Sequence, residues 1–340
     1  MSHDGIARAL LAHFDATRRP MPWRETSDPY AIWVSEVMLQ QTRVDTVIPY
    51  WERWLQRFPT VDALADAELD DVLKVWEGLG YYSRARNLHR AARVVRERYD
   101  GRVPADPDAL RELPGVGPYT AGAVASIAYG VPAPAVDGNA RRVLARLYDL
   151  GRPTASELRD RASAVVPADR PGDFNQALME LGATLCSPRS PSCDTCPLAD
   201  WCQARRLGVQ EQRPLPGERK PVAEETVRTA VLVRDDGALL LARRPEAGLL
   251  GGLWEFPAFD SLSESAVGLV AAEEVFRLEP VAHAFSHKRV RYEPVVVRVG
   301  AGCSLPGADW VAPDALDGYA LPVAQQKIAA AALERLDGRQ

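Results

Sequence analysis

Apolar residues in the first 202 positions are arranged as in short amphipathic helices. They recur three and four positions apart, Pro and Gly separate the segments, and no strand-type alternation occurs. Asp28 before Pro29 is typical of a helix start, because aspartate caps free backbone N–H groups and proline suits the first helical position. Helices are predicted over residues 29–41, 44–58, 68–77, 84–99, 119–129, 139–147 and 173–185. We therefore expect an all-α domain at 1–202.

The pattern changes in the last third of the chain. Residues 203–222 are polar and rich in proline, as in a linker. Residues 226–233 and 238–242 are rich in β-branched and aliphatic side chains. They enclose the turn Asp235-Asp236-Gly237, which predicts a hairpin. With a further strand expected at 292–299, residues 223–340 are predicted to form an α+β domain.

Composition sets limits on the possible partners. With 340 residues, of which 46% are hydrophobic, the chain is long enough for two domain cores. We find no signal peptide and no apolar run that could span a bilayer, so we expect an intracellular, cytoplasmic protein without a membrane partner. Because the net charge is −5, DNA binding would require a local basic patch. The arginine-rich residues 84–99 are a candidate, although a solvated helix face is the simpler explanation.

Four of the five cysteines lie in one short segment. Cys186, Cys193, Cys196 and Cys202 are spaced C-x6-C-x2-C-x5-C. Four thiolates can hold either a zinc ion or an iron–sulfur cluster. Structural zinc sites usually contain two C-x2-C pairs, so the single pair and the wide first gap favour the bulkier [4Fe–4S] cluster. Zinc remains an alternative, and disulfides would require an oxidising compartment.

Residues 113–122 form a second motif, Leu-Pro-Gly-Val-Gly-Pro-Tyr-Thr-Ala-Gly. Gly115 and Gly117 permit a tight turn between two predicted helices, and the second helix begins with free backbone N–H groups. Such groups bind a phosphate without a basic side chain. This arrangement is a helix–hairpin–helix motif, and Asp137 follows it. The hairpin, the aspartate and the cysteines are far more specific together than separately.

With these motifs, residues 1–202 resemble the helix–hairpin–helix DNA glycosylases of the endonuclease III type. Three segments resemble the MutY family of adenine glycosylases within that superfamily. Residues 33–42 (Trp-Val-Ser-Glu-Val-Met-Leu-Gln-Gln-Thr) resemble its catalytic helix, 80–84 (Gly-Tyr-Tyr-Ser-Arg) its intercalating loop, and 285–287 (Phe-Ser-His) its lesion-reading loop. The resemblance implies a multi-domain protein: a helical glycosylase domain with a [4Fe–4S] cluster loop at 186–202, then a Nudix-like α+β domain at 223–340.

The resemblance implies hydrolysis of the N-glycosidic bond of adenine by two carboxyl groups. The sugar acquires oxocarbenium character, which suits one protonated and one ionised carboxyl group. Glu36 has apolar neighbours, so burial should raise its pKa, and the family assigns it protonation of adenine N7 and activation of water. Asp137 lies near a helix start, which favours an anion that stabilises the oxocarbenium ion. Tyr119 and Asn139 are expected to support these carboxyl groups.

Tyr119 also bears on the type of reaction. Strand-cleaving relatives carry at this position a lysine that forms a Schiff base with the sugar. A tyrosine there implies a monofunctional glycosylase. The alternative is a bifunctional, endonuclease III-like glycosylase and lyase for oxidised pyrimidines.

The resemblance further implies that the adenine is flipped out of a DNA duplex and that the gap is filled. Gln41 and Tyr81 match the wedge and the intercalating residue, and Gly115 and Gly117 the backbone-binding hairpin. The expected adenine pocket consists of Trp23, Arg24, Leu39 and Glu180.

The second domain is implied to read the base opposite the adenine. Phe285, Ser286 and His287 match the residues that contact 8-oxoguanine. The Arg-Glu-x-x-Glu-Glu helix of Nudix pyrophosphatases is absent from the sequence, where Glu273 and Glu274 stand instead, so a magnesium-dependent hydrolase is not expected. The expected partner is double-stranded DNA with A:8-oxoguanine or A:G mispairs. We expect a monomer, with clamp and repair proteins as further partners.

Overall fold

The computed structural model describes residues 3–217, 221–265 and 273–338. The chain packs as two compact units. The first comprises Met1–Asp66 and Asn87–Glu218, and the second comprises Ala67–Arg86 and Arg219–Gln340. Residues 67–86 therefore pack with the C-terminal part of the chain. The predicted domain boundaries at 202 and 222 stay predictions.

Residues 3–217 are helical, and no strand occurs in this range. The helices are α1 (His3–Thr17), α2 (Pro29–Met38), α3 (Val44–Arg57), α4 (Val61–Asp66), α5 (Leu69–Val75), α6 (Ser83–Tyr99), α7 (Pro107–Arg111), α8 (Pro118–Tyr129), α9 (Gly138–Leu147), α10 (Ala155–Ser163), α11 (Pro171–Thr184) and α12 (Gln203–Arg206). All seven predicted helices are present, whereas α1, α4, α7, α10 and α12 were not predicted. None of the described helices is long and apolar enough to cross a membrane.

Side-chain caps explain where several of these helices begin. The Asp28 carboxylate accepts a hydrogen bond from the Tyr30 N–H at 3.0 Å, and Pro29 follows it as predicted. Asp137 caps α9, so the helix start also fixes a predicted catalytic side chain. Each cap satisfies a backbone donor that the first helical turn leaves without a partner.

One core cluster of the first unit lies between α1, α9 and α11. Leu10, Leu144 and Phe174 are fully buried in it. Gly182 on α11 permits the close approach of α9, because an added Cβ would lie 2.7 Å from the Cβ of Asn139. The position of Asn139, which lines the site described below, thus depends on this contact.

The second unit contains α5 and a mixed β-sheet. Its strands are β1 (Ala223–Val233), β2 (Leu239–Arg243), β3 (Trp254–Glu255), β4 (Glu273–Arg277), β5 (Val281–Ala284), β6 (Lys288–Arg298) and β7 (Ala308–Val311). The order is β3-β2-β1-β6-β4, with β5 also pairing with β6 and β7 with β2. β1 and β6 run parallel in register from Ala223↔Lys288 to Val233↔Arg298, and the other described pairs are antiparallel.

Both faces of this sheet are buried. Val231 on one face packs in a cluster with Ile328 of α14 (Val323–Asp337). Leu232 on the other face packs in a cluster with Leu262 of α13 (Phe259–Ser265). The predicted hairpin is confirmed, since Val233 pairs with Leu239 around Gly237, whose φ is +81°. The predicted α+β class is therefore correct.

Candidate active site

A cleft of ≈ 980 Å³ in the first unit contains the residues that were predicted to act on the base. Its lining includes Trp23, Arg24, Glu36, Leu39, Gln41, Tyr119, Asp137, Asn139 and Glu180. These side chains come from the segment before α2, from α2 and its C-terminus, and from α8, α9 and α11. The fold therefore brings together every predicted catalytic and adenine-pocket residue, although they are spread over most of the helical region.

Glu36 is an acid held in an apolar environment. It lies on α2 with 4% of its surface exposed, and its carboxylate accepts a hydrogen bond from the Tyr119 hydroxyl. Burial raises the pKa of Glu36 to about 7 and the charge of Asp137 adds to this, while the Tyr119 hydrogen bond and Arg24 act in the opposite direction. Near neutral pH a substantial fraction of Glu36 is therefore protonated, as a general acid requires.

Asp137 has a different set of neighbours. Its carboxylate accepts hydrogen bonds from the Ala140 N–H at 2.6 Å and from the Asn139 side-chain amide at 3.0 Å. Burial nevertheless raises the pKa of Asp137, and these donors and the charge of Arg142 only partly compensate. The expected donors are present, but they do not lower the pKa below its usual value, because the sequence pattern could not reveal how deeply the side chain is buried.

Arg142 was not predicted as a site residue. Its guanidinium donates to the Asn139 side-chain oxygen at 2.9 Å and to the carbonyl of Gly182 at 2.6 Å. It also donates to the carbonyl of Cys186 at 2.8 Å. Arg142 therefore fixes the amide that binds Asp137. Its spacing of three residues from Asn139 on α9 was the only signal in the sequence.

A network of arginine and glutamate lines another part of the cleft. Arg24 forms an ion pair with Glu180 at 2.5 Å and donates to the side chain of Gln176 at 3.0 Å. The Arg19 N–H donates to Glu180 at 2.9 Å. Burial by itself would raise the pKa of Glu180, but the hydrogen bonds from Arg24 and Arg19 outweigh it, and the pKa is lowered. Arg19 and Gln176 were missed by the sequence analysis, although Gln176 lies one helical turn before Glu180.

The predicted hairpin joins α7 to α8, and its two glycines, Gly115 and Gly117, are not among the residues that line the cleft. Gly115 has a φ of +77°, and an added Cβ there would lie 2.5 Å from the Asn87 Cβ. Gly117 is the N-cap of α8, so the free N–H groups of its first turn follow directly. The hairpin therefore has the geometry expected of a phosphate-binding turn. Gln41 lines the cleft. Its side chain is exposed, and its backbone has a φ of +57°.

The residues predicted to intercalate and to read the opposite base lie in the second unit. Tyr81 is 43% exposed, with a φ of +47°, in the turn between α5 and α6. Ser286 and His287 are exposed at the tip of the β5–β6 hairpin, which the Phe285 N–H closes on the Lys288 carbonyl at 2.8 Å. Phe285 is half-buried against the sheet core. The hairpin tip thus presents two polar side chains on an apolar anchor.

The arginine-rich residues of α6 do not form the continuous basic patch that was considered. Arg84 is buried, and Arg96 is paired with Asp66. Arg86 and Arg93 donate to the backbone carbonyls of Gly251 and Ala65. These arginines are thus used largely within the fold.

The four clustered cysteines line one small pocket in the first unit. No disulfide links any of the five cysteines, which excludes that alternative. Within the described ranges no three His, Cys, Asp or Glu side chains are placed to hold a single metal ion. Thiols that surround a pocket without meeting at one point fit a multi-iron cluster, in which each cysteine binds a different iron. Burial raises the pKa of the Cys196 thiol to about 11, so its thiolate requires positive charge such as iron supplies.

In the described part of the second unit, the glutamates near the expected Nudix box are placed differently from those of a Nudix hydrolase. Glu273 and Glu274 lie on strand β4 and are exposed, whereas a Nudix box would carry its carboxylates on a helix. Glu255, on strand β3, is paired with Arg244 at 2.5 Å. In the described part of this unit these glutamates form no metal-binding cluster.

Comparison with known protein families matches three parts of the chain. Residues 34–168 match the HhH-GPD superfamily of base excision DNA repair proteins, and residues 186–202 match the iron-sulfur binding domain of endonuclease III. Residues 228–331 match the NUDIX domain. The iron–sulfur prediction is therefore confirmed over the zinc alternative, and the predicted order of a helical glycosylase region followed by a Nudix-like region is confirmed.

Individual relatives agree with these matches. The human adenine DNA glycosylase is 37% identical over 94% of this chain and 72% of its own length. The rat adenine DNA glycosylase is 38% identical over 94% of this chain and 76% of its own length. An endonuclease III in a non-covalent complex with DNA has 25% sequence identity and a TM-score of 0.53. The match covers 62% of this chain and 99% of that one. With this identity over nearly its whole length, the chain belongs to the adenine DNA glycosylase family.

Proposed function

We propose that this protein is a monofunctional glycosylase that hydrolyses the N-glycosidic bond of adenine opposite 8-oxoguanine or guanine in double-stranded DNA. One observation carries the proposal. The buried Glu36, whose pKa is raised to about 7, shares a cleft with Asp137, a second carboxyl group held by N–H donors. This is the pair that the cleavage of a glycosidic bond requires.

The reaction follows from the two environments. Protonated Glu36 transfers its proton to N7 of adenine, and the C1′–N9 bond breaks with its electron pair going to the base. Asp137, as the anion, faces the positive charge that develops on the sugar. The ionised Glu36 then takes a proton from a water molecule, whose oxygen bonds to C1′. Glu36 thus returns to its protonated form, and adenine and an abasic sugar are the products.

The lining of the cleft supports hydrolysis without strand cleavage. A β-lyase needs an amine that attacks the sugar, and lysine is the usual donor. No lysine is among the residues that line the described cleft, and Tyr119 is hydrogen-bonded to Glu36. The alternative of a bifunctional enzyme for oxidised pyrimidines therefore finds no lysine amine among the residues that line the described cleft.

Access to the base requires that it leaves the duplex. Gln41 lines the cleft, and Tyr81 is an exposed ring on a separate turn, so we assign them the roles of wedge and intercalating residue. The first turn of α8 after Gly117 binds a DNA phosphate. The exposed Ser286 and His287 read the base opposite the adenine.

The cysteine loop has a structural task in this proposal. Cys186, Cys193, Cys196 and Cys202 hold a [4Fe–4S] cluster, which cross-links residues 186–202. Arg146, which is buried, donates to the Cys186 sulfur at 3.2 Å and to the Ser187 carbonyl at 2.7 Å. Since Arg142 joins the Cys186 carbonyl to Asn139, an ordered loop keeps the amide that binds Asp137 in place.

A single-turnover assay tests the proposal. Duplexes with one A:8-oxoguanine or A:G pair are incubated with excess enzyme, and strand breaks are scored with and without alkali. We expect breaks only after alkali for the wild type, and none for Glu36→Gln. Glu52→Gln, the same change at an exposed position of α3, is the control and should act as the wild type does. Breaks without alkali would establish a lyase, and activity in Glu36→Gln would refute the role of Glu36.

A further inference from the structure

The turn that carries Tyr81 is strained and projects from its surroundings. We call residues 78–82, between α5 and α6, the Tyr81 loop. Gly78 and Gly80 have φ values of +90° and +76°, and Tyr81 itself has a φ of +47°. A non-glycine residue in the left-handed region is unfavourable by about 1 kcal/mol or more, and it persists only where neighbours hold it. The exposed ring of Tyr81 is therefore held in place by other residues.

Part of this support lies beside the loop itself. The buried Trp76 donates its indole N–H to the Gly80 carbonyl at 3.0 Å. The buried Arg84 donates to the carbonyls of Leu79 at 3.2 Å and Gly80 at 3.1 Å, and its guanidinium lies 5.4 Å from the centre of the Tyr81 ring. These contacts fix the shape of the loop but not its attachment to the rest of the second unit.

Two residues attach the Tyr81 loop to the C-terminal part of the second unit, one on each side of the loop. Glu77, which precedes the loop, accepts a hydrogen bond from the backbone N–H of Leu321 at 2.8 Å. Arg86, which follows it, donates to the carbonyl of Gly251 at 2.6 Å. Leu321 and Gly251 are both buried. Both attachments join a charged side chain to a backbone group, and such hydrogen bonds are stronger than neutral ones.

Helix α5 extends this attachment. Lys74 donates to the Tyr319 carbonyl at 3.2 Å and to Glu77 at 2.6 Å, and Asp70 pairs with Arg243 at 2.6 Å. The backbone at Gly252 also lies close to α5. A Cβ added at Gly252 would lie 3.2 Å from a methyl group of Leu73. The segment before the Tyr81 loop thus packs on Arg243, Gly252 and Tyr319, which belong to the same compact unit as Ser286 and His287.

We propose that Glu77 and Arg86 are positioning residues that fix Tyr81 to the compact unit that also carries Ser286 and His287, so that reading 8-oxoguanine and inserting Tyr81 are coupled. The inference rests on the proposed function. The place of Arg86 among the arginines of α6 had indicated phosphate binding. The proposal assigns it a different role.

Single-turnover rates on A:8-oxoguanine and A:G duplexes test the coupling. Glu77→Ala removes the acceptor for the Leu321 N–H, so we expect the rate on A:8-oxoguanine to fall about tenfold, the scale of one lost charge-assisted hydrogen bond. The rate on A:G should change less than about twofold. Guanine lacks the 8-oxo group, so contact with it has little effect that the coupling could pass to Tyr81. Glu77→Gln keeps an acceptor oxygen and should retain the discrimination. Glu68→Ala, at an exposed acid that begins α5, is the control.

Two further measurements separate positioning from general destabilisation and from DNA binding. In a Tyr81→Ala background, Glu77→Ala should cause no further loss, because residues that act through one another are not additive. Arg86→Met should reduce discrimination without changing the salt dependence of DNA affinity, whereas loss of a phosphate contact reduces that slope.

The outcomes distinguish the two proposals. Equal losses on both duplexes, full additivity with Tyr81→Ala, or a Glu77→Gln variant as impaired as Glu77→Ala would overturn the coupling while leaving the glycosylase intact. A wild type that releases no adenine from either duplex would instead refute the proposed function, and the coupling would fall with it.

Discussion

Replacing Tyr119 by Phe removes one hydrogen bond from Glu36 while leaving an aromatic ring against it. Burial raises the pKa of Glu36 to about 7, and the hydrogen bond from the Tyr119 hydroxyl works against this rise by stabilising the ionised form. Without the hydroxyl the pKa must rise further. A hydrogen bond to a charged group contributes about 1.5–3 kcal/mol, and one pKa unit corresponds to about 1.4 kcal/mol. We therefore expect an upward shift of about one to two units.

The assay is the single-turnover rate of adenine release from an A:8-oxoguanine duplex between about pH 5 and about pH 9. Glu36 donates a proton, so the wild-type rate should fall as the pH rises through the pKa near 7. In Tyr119→Phe this alkaline limb should move to higher pH. Tyr129→Phe removes a hydroxyl that donates to the Val103 carbonyl outside the cleft, and its profile should match the wild type. A Tyr119→Phe limb that stays in place, or moves to lower pH, would refute the reasoning.

Two other predictions concern stability. Because the pKa of Glu36 is raised from 4.5 to about 7, its ionisation destabilises the folded state, by roughly 3 kcal/mol once the pH exceeds 7, and not below about pH 4.5. Glu36→Gln should therefore raise the thermal midpoint at pH 8 relative to the wild type, and an equal increase at pH 5 would contradict this. Gly182→Ala places a Cβ 2.7 Å from Asn139 and should lower both the midpoint, through about 1–3 kcal/mol of overpacking, and the rate of adenine release. Gly217→Ala, where a Cβ meets open space, should change neither.

Helices with local signals were predictable from the sequence, and elements defined by distant partners were not. The Asp28 cap and Pro29 placed the start of α2 correctly, because both act within one helical turn. The parallel pairing of β1 with β6 joins residues some 65 positions apart (Ala223↔Lys288), which no local pattern contains. Alternation was weak in β1 because Val231 and Leu232 are both buried, on opposite faces of the sheet.

The candidate site shows the same division. Glu36 and Asp137 could be named from residue types and family resemblance, and the fold brings both into one cleft. Arg142 could not, because its importance comes from reaching the Asn139 amide and the Cys186 carbonyl together, and the latter lies on a different segment. Arg86 was likewise grouped with a basic helix face, whereas its partner, Gly251, is distant in sequence.

Burial raises the pKa of both Glu36 and Asp137. Burial alone therefore does not decide which group acts as the acid and which as the anion. The assignment follows from their donors. Asp137 receives hydrogen bonds from the Ala140 N–H and the Asn139 amide and faces the charge of Arg142, all of which favour its anion. Glu36 accepts one hydrogen bond, from the Tyr119 hydroxyl. The negative charge of Asp137 favours the protonated form of Glu36. Ionisation of one group therefore promotes protonation of the other, and a cleft with one acid and one anion near neutral pH results.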